Sequence, residues 1–219
     1  MYKLNHHDYY RLPWNLTDNS ISWLEPTAKC NLSCDGCYRQ NENESHKSLE
    51  TIKEELDVFT SLRKCDGVSI AGGDPLTHPE IIEIVREVKN RGLKPILNTN
   101  GLALTKELLL ELKKAGVYGF TFHIDSKQGR PGWKNKNEIE LNELRLKYAD
   151  MLAEAGNISC AFNSTVYEDT MHYVHELVIW AEDNIDKVQV MVFIIYRPVN
   201  NKKVDFYLGP EKIDMNQLV

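Results

Sequence analysis

Three closely spaced cysteines are the residues of this chain best suited to hold a metal. Cys30, Cys34 and Cys37 follow the spacing C-x3-C-x2-C. Three thiolates this close can wrap one metal cluster, and a cubane iron–sulfur cluster normally takes four cysteine ligands. The other two cysteines, Cys65 and Cys160, lie far along the chain. A cluster held here would therefore keep one iron open to another ligand, and an open iron is a site for chemistry.

The cysteine spacing alone does not fix the metal. Structural zinc sites often combine cysteines with a histidine, and His46 is the nearest histidine downstream of Cys37. Packed or oxidation-prone cysteines without any metal are a further alternative. The spacing therefore indicates a metal site and leaves zinc and iron–sulfur both open.

Three more motifs follow predicted strands, in a fixed order along the chain. Ala71-Gly-Gly-Asp-Pro75 follows the second strand, Asn98-Thr-Asn-Gly101 the third and His123-Ile-Asp-Ser126 the fourth. Together with the cysteines, this series resembles the radical S-adenosylmethionine (SAM) superfamily. That family has C-x3-C-x2-C after its first strand, Gly-Gly-Glu-Pro after the second and Thr-Asn-Gly after the third.

Two positions depart from the family pattern. Asp74 stands where glutamate is commoner, and Gly36 precedes the last cysteine where an aromatic residue is frequent; the aromatic Tyr38 follows it instead. Both departures concern how the adenine of SAM is held and leave the class unchanged.

The resemblance implies a specific chemistry. Cys30, Cys34 and Cys37 would bind three irons of a [4Fe–4S] cluster, and the fourth iron would take the amino nitrogen and carboxylate oxygen of SAM. The reduced cluster would cleave SAM to methionine and a 5′-deoxyadenosyl radical, which abstracts hydrogen from an unidentified substrate. Two alternatives remain: an iron–sulfur electron-transfer or binding module without SAM turnover, and a radical SAM methyltransferase.

The resemblance also implies which residues surround SAM. Gly72 and Gly73 permit close approach of the backbone, and Asp74 would accept from the SAM ammonium. Alternation along the fourth strand places His123 and Asp125 on one face, and Asn163 and Ser164 near the end of the fifth strand are similar candidates. The expected SAM-binding residues are Tyr38, Gly72, Gly73, Asp74, Asn98, Asn100, Asp125, Ser126 and Asn163.

A cationic loop follows the fourth strand and is the second most distinctive segment. Lys127, Arg130, Lys134 and Lys136 surround Trp133. Cations on the active face would suit the SAM carboxylate or an anionic substrate; the alternative is a solvated turn. Among the cations, Arg130 is the first choice for contact, because its planar fork suits a carboxylate or phosphate. The expected substrate-binding residues are Arg130, Trp133 and His123.

These residues need a scaffold that brings them together, and the hydrophobic pattern supplies one. The predicted strands are 21–27, 67–71, 94–98, 119–124, 158–166 and 187–196, with amphipathic helices between them. Such alternation predicts an α/β fold with a parallel sheet, open or curled into a barrel. The resemblance implies a partial (β/α)6 TIM-like barrel, whose chemistry lies at the carboxyl ends of the strands.

Two local features and the domain limits complete the fold prediction. Ser48 marks the start of the first helix, and Thr77 with Glu80 predicts a capping box at the start of the second. We expect an N-terminal extension over residues 1–20, a radical SAM core over 21–196 and a C-terminal tail over 197–219.

Composition bounds the partners. The 219 residues are 42% hydrophobic and 26% charged, with a formal net charge of −6, which argues against nonspecific nucleic-acid binding. No window is long and apolar enough to span a membrane, and clustered cysteines suit a reducing, cytoplasmic location. Expected partners are a small-molecule or peptide substrate, an electron donor such as flavodoxin or ferredoxin, and a domain or subunit that closes the barrel.

Overall fold

The computed structural model describes residues 20–39 and 41–197. The predicted N-terminal extension and C-terminal tail therefore lie outside the described residues, apart from Ser20 and Arg197. Within the described residues, each strand except the last is followed by an α-helix.

A six-stranded parallel sheet forms the centre of the molecule. Its strand order, β1-β2-β3-β4-β5-β6, is the order of the chain, and it curls into a half-barrel with helices outside. The strands are β1 (Ile21–Leu24), β2 (Gly67–Ile70), β3 (Lys94–Thr99), β4 (Gly119–His123), β5 (Ser159–Val166) and β6 (Val190–Ile195). The helices are α1 (Leu49–Leu62), α2 (Ile81–Asn90), α3 (Lys106–Ala115), α4 (Asn142–Ala155) and α5 (Val174–Asp183).

The hydrophobic core lies between the outer face of the sheet and the helices. On β4, Phe120 and Phe122 are buried, and Phe122 stacks on Tyr148 of α4 with 4.5 Å between ring centroids. Side chains alternate across a strand, so the residues between these point to the inner face. The inner face carries mixed polar and apolar side chains, namely Trp23, Ser69, Ile96, Asn98, Thr121, His123, Asn163 and Val192.

The register aligns the carboxyl ends of the strands. His123 of β4 lies beside Asn163 of β5, which lies beside Val192 of β6. The loops that follow β1 to β4 therefore leave from one rim of the half-barrel, and these loops contain all four sequence motifs.

The sequence predictions hold for the elements, with one local correction. Ser48, the predicted start of the first helix, caps α1 by accepting from the Thr51 amide. The capping box predicted at Thr77 is wrong: Pro75–Thr77 form a 3-10 turn, and α2 begins four residues later, at Ile81, without a side-chain cap. The turn is capped instead by Asp74, whose carboxylate accepts from the Leu76 amide.

Candidate active site

Cys30, Cys34 and Cys37 lie in the loop that connects β1 to α1 at the rim of the half-barrel. We refer to this connection as the cysteine loop. Cys30 and Cys34 are half-buried and Cys37 is exposed, and all three are free thiols. Asn41 fixes the start of the loop, because it accepts from the Cys30 amide at 2.9 Å and donates to the Cys30 carbonyl at 2.8 Å. The Cys37 amide donates to the Cys34 carbonyl at 3.2 Å and so closes a tight turn.

Burial keeps two of the thiols protonated in the absence of a metal. It raises the pKa of Cys30 and lifts the pKa of Cys34 to about 12, where nearby Asp125 adds to the effect. A coordinated metal removes the thiol proton outright. These thiols therefore suit a metal cluster better than free nucleophilic chemistry.

The donor set fits a cluster better than a single zinc ion. Over residues 20–39 and 41–197, no group of three His, Cys, Asp or Glu side chains is arranged to hold one ion. His46, the zinc alternative, packs edge-on against His78 with 5.0 Å between ring centroids. Three cysteines on one loop could each bind one iron of a cluster, and among the described residues no His, Cys, Asp or Glu joins them as a fourth ligand.

Two glycines allow the loop after β2 to dock on the cysteine loop. The Gly73 amide donates to the Thr27 carbonyl, and the Asp74 amide to the Lys29 carbonyl, both at 2.8 Å. A Cβ atom on Gly72 would lie 2.1 Å from the Thr27 oxygen, and one on Gly73 would lie 2.1 Å from the Lys29 oxygen. Any side chain at either position would therefore push the two loops apart.

Asp74 ties the second motif to the third. Its carboxylate is 1% exposed and accepts from the Leu76 amide, the Thr99 hydroxyl and the Asn100 amide at 2.8–3.0 Å. Burial raises the pKa of Asp74, and these hydrogen bonds oppose that rise. The contact with the SAM ammonium stays a prediction, and the hydrogen bonds of this carboxylate tie the loop after β2 to the end of β3.

The third motif reaches the cysteine loop directly. The Asn100 side-chain nitrogen donates to Asn31 Oδ1 at 2.6 Å and lies 3.8 Å from the Cys30 sulfur. Asn98 points to the inner face and donates to the Ser69 hydroxyl. Asn100 therefore orients the first cysteine, whereas Asn98 lines the half-barrel.

The fourth motif places a histidine beside a buried carboxylate. His123 Nε2 lies 2.8 Å from the Thr165 hydroxyl and 3.2 Å from Asp125 Oδ2. The shared face predicted for His123 and Asp125 is confirmed by this contact. The His123 side chain is 38% exposed and the Asp125 side chain 3%, so the carboxylate orients the imidazole from behind. Asn163 lies beside His123 in register.

A buried ion pair that the sequence analysis missed supports this motif. Glu138 accepts from the Ser126 amide at 2.7 Å and from Arg145 at 2.9 Å. The Ser164 hydroxyl also faces Glu138, at 3.4 Å, so Ser164 lies behind the sheet. Arg145 is fully buried and donates to the Ile124 carbonyl. The sequence contains one signal for this buried arginine: Arg145 follows Leu144 and lies on the apolar face of α4.

The cationic loop divides into buried and exposed parts. Arg130 is 3% exposed and donates to the carbonyls of Asn100 and His123 at 2.7 and 3.1 Å. Trp133 packs against the hydrophobic core, and Lys136 pairs on the surface with Glu140. The loop is therefore not one cationic surface. The ligand contacts predicted for Arg130 and Trp133 stay predictions, and the observed contacts give both residues structural partners.

Tyr38, an expected SAM-binding residue, contacts Glu25 just after β1, a residue that the sequence analysis did not single out. The Tyr38 hydroxyl donates to Glu25 at 3.0 Å and Trp23 Nε1 donates to the same oxygen at 2.9 Å, while Arg39 forms an ion pair with Glu25. The Tyr38 ring remains 56% exposed. Trp23 belongs to β1, and Glu25 follows it, at one edge of the sheet.

In the described residues, no helix is long and apolar enough to cross a membrane.

The comparisons with known proteins agree with this geometry. The family model for the Radical SAM superfamily matches residues 24–181. A probable GTP 3′,8-cyclase of Methanococcus aeolicus is 28% identical over 195 residues, covering 86% of this chain and 63% of that protein. An AdoMet-dependent heme synthase of Oleidesulfovibrio alaskensis is 25% identical over 180 residues, covering 78% of this chain and 46% of that protein.

A third relative and two solved structures extend the comparison. A tungsten-containing aldehyde ferredoxin oxidoreductase cofactor-modifying protein of Pyrococcus furiosus is 35% identical over 106 residues, covering 47% of this chain and 30% of that protein. Streptococcus suis SuiB bound to S-adenosylmethionine superposes with a TM-score of 0.62 at 16% identity, covering 85% of this chain and 41% of SuiB. His6-tagged anSMEcpe with bound AdoMet superposes with a TM-score of 0.61 at 15% identity, covering 86% of this chain and 54% of anSMEcpe. The chain thus spans between about a third and two thirds of these proteins, and the structural likeness shows the fold.

Proposed function

Because the chain belongs to the radical SAM superfamily, whose members use a [4Fe–4S] cluster and SAM, we propose that it is the catalytic half-barrel of a hydrogen-abstracting enzyme. Cys30, Cys34 and Cys37 would hold the cluster, and SAM would lie against it on the inner face. The substrate would lie beyond SAM in the open half-barrel.

The observation that carries this proposal is the direct bonding of three motifs to one another. The loop after β2 donates to the cysteine loop through the amides of Gly73 and Asp74. The loop after β3 donates to the carboxylate of Asp74 and reaches Cys30 through Asn100. A module that only carried electrons would need the cysteines but not these hydrogen bonds between the loops after β1, β2 and β3.

Bound cluster and SAM would supply one-electron cleavage of the sulfonium and removal of a hydrogen atom from the substrate. The chain's own residues have simpler tasks. The three cysteines would hold the irons as thiolates, and Asn100 orients Cys30. Polar side chains on the inner face, including Asn98, His123 and Asn163, provide hydrogen bonds to a ligand. The sheet and helices exclude water from one side.

The residues that we assign to SAM and to the substrate lie at the same rim of the half-barrel. We assign SAM binding to the predicted set, with Tyr38, Asn98, Asp125, Ser126 and Asn163 near the inner face. Gly72, Gly73, Asp74 and Asn100, the other members of the set, also hold the loops together from behind. We assign substrate contact first to His123, whose imidazole is open to the half-barrel.

The partners follow from the chemistry. The cluster needs a one-electron donor such as flavodoxin or ferredoxin, in a reducing, cytoplasmic setting. The substrate is a small molecule or a peptide, and a further domain or subunit would cover the open side of the half-barrel. Methyl transfer is the second candidate reaction, and its product would distinguish it.

The test is anaerobic reconstitution followed by product analysis. We expect the parent protein to bind four irons per chain, about one cubane, and to convert SAM to 5′-deoxyadenosine when dithionite is added. A variant with Cys30, Cys34 and Cys37 all replaced by alanine should bind no cluster and form no product.

The matched control is Cys65→Ala, which removes a cysteine outside the loop. It should keep the cluster and the product. A full cluster in the triple variant would refute the ligand assignment. Conversion of SAM only to S-adenosylhomocysteine would favour methyl transfer.

A further inference from the structure

Gly36, between the second and third cysteines, is crowded by two tyrosines from the far side of the half-barrel. A Cβ atom on Gly36 would lie 2.5 Å from the Tyr167 hydroxyl oxygen and 3.3 Å from Cδ2 of Tyr196. Gly36 is not among the glycines with positive φ, so its backbone does not require glycine. The contact with the two tyrosines therefore explains the missing side chain.

The two tyrosines form one aromatic unit at the ends of neighbouring strands. Tyr167 follows β5 and Tyr196 follows β6, and their ring centroids lie 4.8 Å apart at an angle of 34°. Alternation from Thr165 and Ile194 places both rings on the inner face. Such tilted aromatic pairs are favourable contacts. We refer to Tyr167 and Tyr196 as the tyrosine pair.

The contact joins opposite edges of the sheet. The cysteine loop follows β1 at one edge, whereas β6 forms the other. The loop after β4 contacts both the cysteine loop and the tyrosine pair. The Asp35 amide donates to the Lys127 carbonyl at 3.3 Å, and Lys127 Nζ lies 5.7 Å from the centre of the Tyr167 ring. Lys127 is itself held by Asp169 at 2.5 Å. The turn between Cys34 and Cys37 is therefore held from three strand ends.

We propose that the tyrosine pair positions the turn between Cys34 and Cys37 and shields the cluster bound there from water. This inference rests on the proposed function, because it assumes the cluster. The tyrosine pair is not a metal ligand; it acts on the cluster through the loop. Packing around an iron–sulfur cluster controls its solvent access and its reduction potential. Tyr167 and Tyr196 are thus positioning residues that lie more than 100 positions after the cysteines.

The first experiment measures cluster stability in reconstituted variants. Tyr167→Ala and Tyr196→Ala should assemble a cluster that bleaches several-fold faster than the parent's in air or with a chelator. Their midpoint potential should rise, because water stabilises the more charged reduced cluster. Tyr118→Ala is the matched control, since Tyr118 is exposed at the amino end of β4. Its bleaching rate and potential should equal those of the parent.

The second experiment tests the contact itself by rescue. Gly36→Ala should speed bleaching, because its methyl group meets the Tyr167 hydroxyl. Combining it with Tyr167→Phe removes that oxygen and should restore the rate towards that of Tyr167→Phe alone. Circular dichroism of the apoproteins establishes that each variant folds.

The outcomes separate the two proposals. A parent protein that assembles no cluster would defeat the proposed function itself. A parent with a normal cluster, but alanine variants that bleach at the parental rate and keep the parental potential, would overturn only the role of the tyrosine pair. Gly36→Ala that bleaches faster without rescue by Tyr167→Phe would also overturn it, because the crowding would lie elsewhere.

Discussion

Asp74 is one methylene shorter than the glutamate common at its position, and its carboxylate is taken up by neighbouring loops. Four contacts from Leu76, Thr99 and Asn100 reach its two oxygens. All of these partners are donors, so the site accepts a carboxylate and rejects an amide nitrogen. The shorter side chain favours a structural role, in which Asp74 fixes the loops that shape the SAM site.

Asp74→Asn should therefore destabilise the protein. The amide replaces one acceptor oxygen by a donor that faces other donors, and an unmet buried hydrogen bond costs about 1–3 kcal/mol. Urea unfolding of the apoprotein measures this loss. Asp183→Asn, at an exposed position in α5, is the control. Equal unfolding midpoints for the two variants would show that the hydrogen bonds of Asp74 do not contribute to the free energy of unfolding.

Arg130 gives a second test at the scale of one residue. Because its guanidinium is buried and donates to the carbonyls of Asn100 and His123, Arg130→Ala should lower the free energy of unfolding by about 1.5–3 kcal/mol. Lys134→Ala, an exposed cation of the same loop, should leave it unchanged. A variant Arg130→Ala that unfolds like the parent but binds SAM weakly would instead support the ligand contact predicted from sequence.

At the scale of elements, the Glu138–Arg145 pair joins the end of β4, β5 and α4. Neither side chain is more than 1% exposed. Pairing of buried charges contributes little net stability, but removing one partner leaves the other uncompensated. The pair therefore fixes where the fourth motif lies relative to α4.

Glu138→Gln should accordingly cost about 3–5 kcal/mol, more than Asp74→Asn. Glu143→Gln, in the exposed first turn of α4, should cost almost nothing. Thermal unfolding of the apoproteins gives the comparison. If the two glutamine variants have the same Tm, the charge of Glu138 is not buried and paired in the way that the structure indicates.

Hydrophobic periodicity was enough to predict the elements, because each strand and helix presents a regular apolar face. It also located the motifs at the carboxyl ends of β1 to β4. It could not reveal partners that depend on tertiary contact. Thr77 has the sequence of a helix cap, yet Asp74 caps the preceding turn. Arg130 and Glu138 look like surface charges until the loops fold over them, and Gly36 looks like a turn residue until Tyr167 reaches it.

At the scale of the whole molecule, folding and cofactor binding use different surfaces. The hydrophobic core lies between the sheet and the helices, and the described residues of the cysteine loop contribute nothing to its main cluster of buried residues. The inner face, by contrast, carries polar side chains such as Ser69, Thr121 and Asn163 among its apolar ones. We therefore expect the chain to fold without iron, and the apoprotein should show the same far-ultraviolet circular dichroism as the reconstituted protein.

SAM should then stabilise the reconstituted protein by binding only its folded form. Ligand at 100 times its Kd adds about 2.7 kcal/mol, and for a chain of this size each kcal/mol shifts Tm by about 2–4 °C. A rise of about 5–10 °C is thus expected in an anaerobic thermal scan. The variant with Cys30, Cys34 and Cys37 replaced by alanine should show a much smaller rise, since SAM loses its iron contact. An equal rise in both proteins would mean that SAM binds independently of the cluster, which the proposed arrangement does not allow.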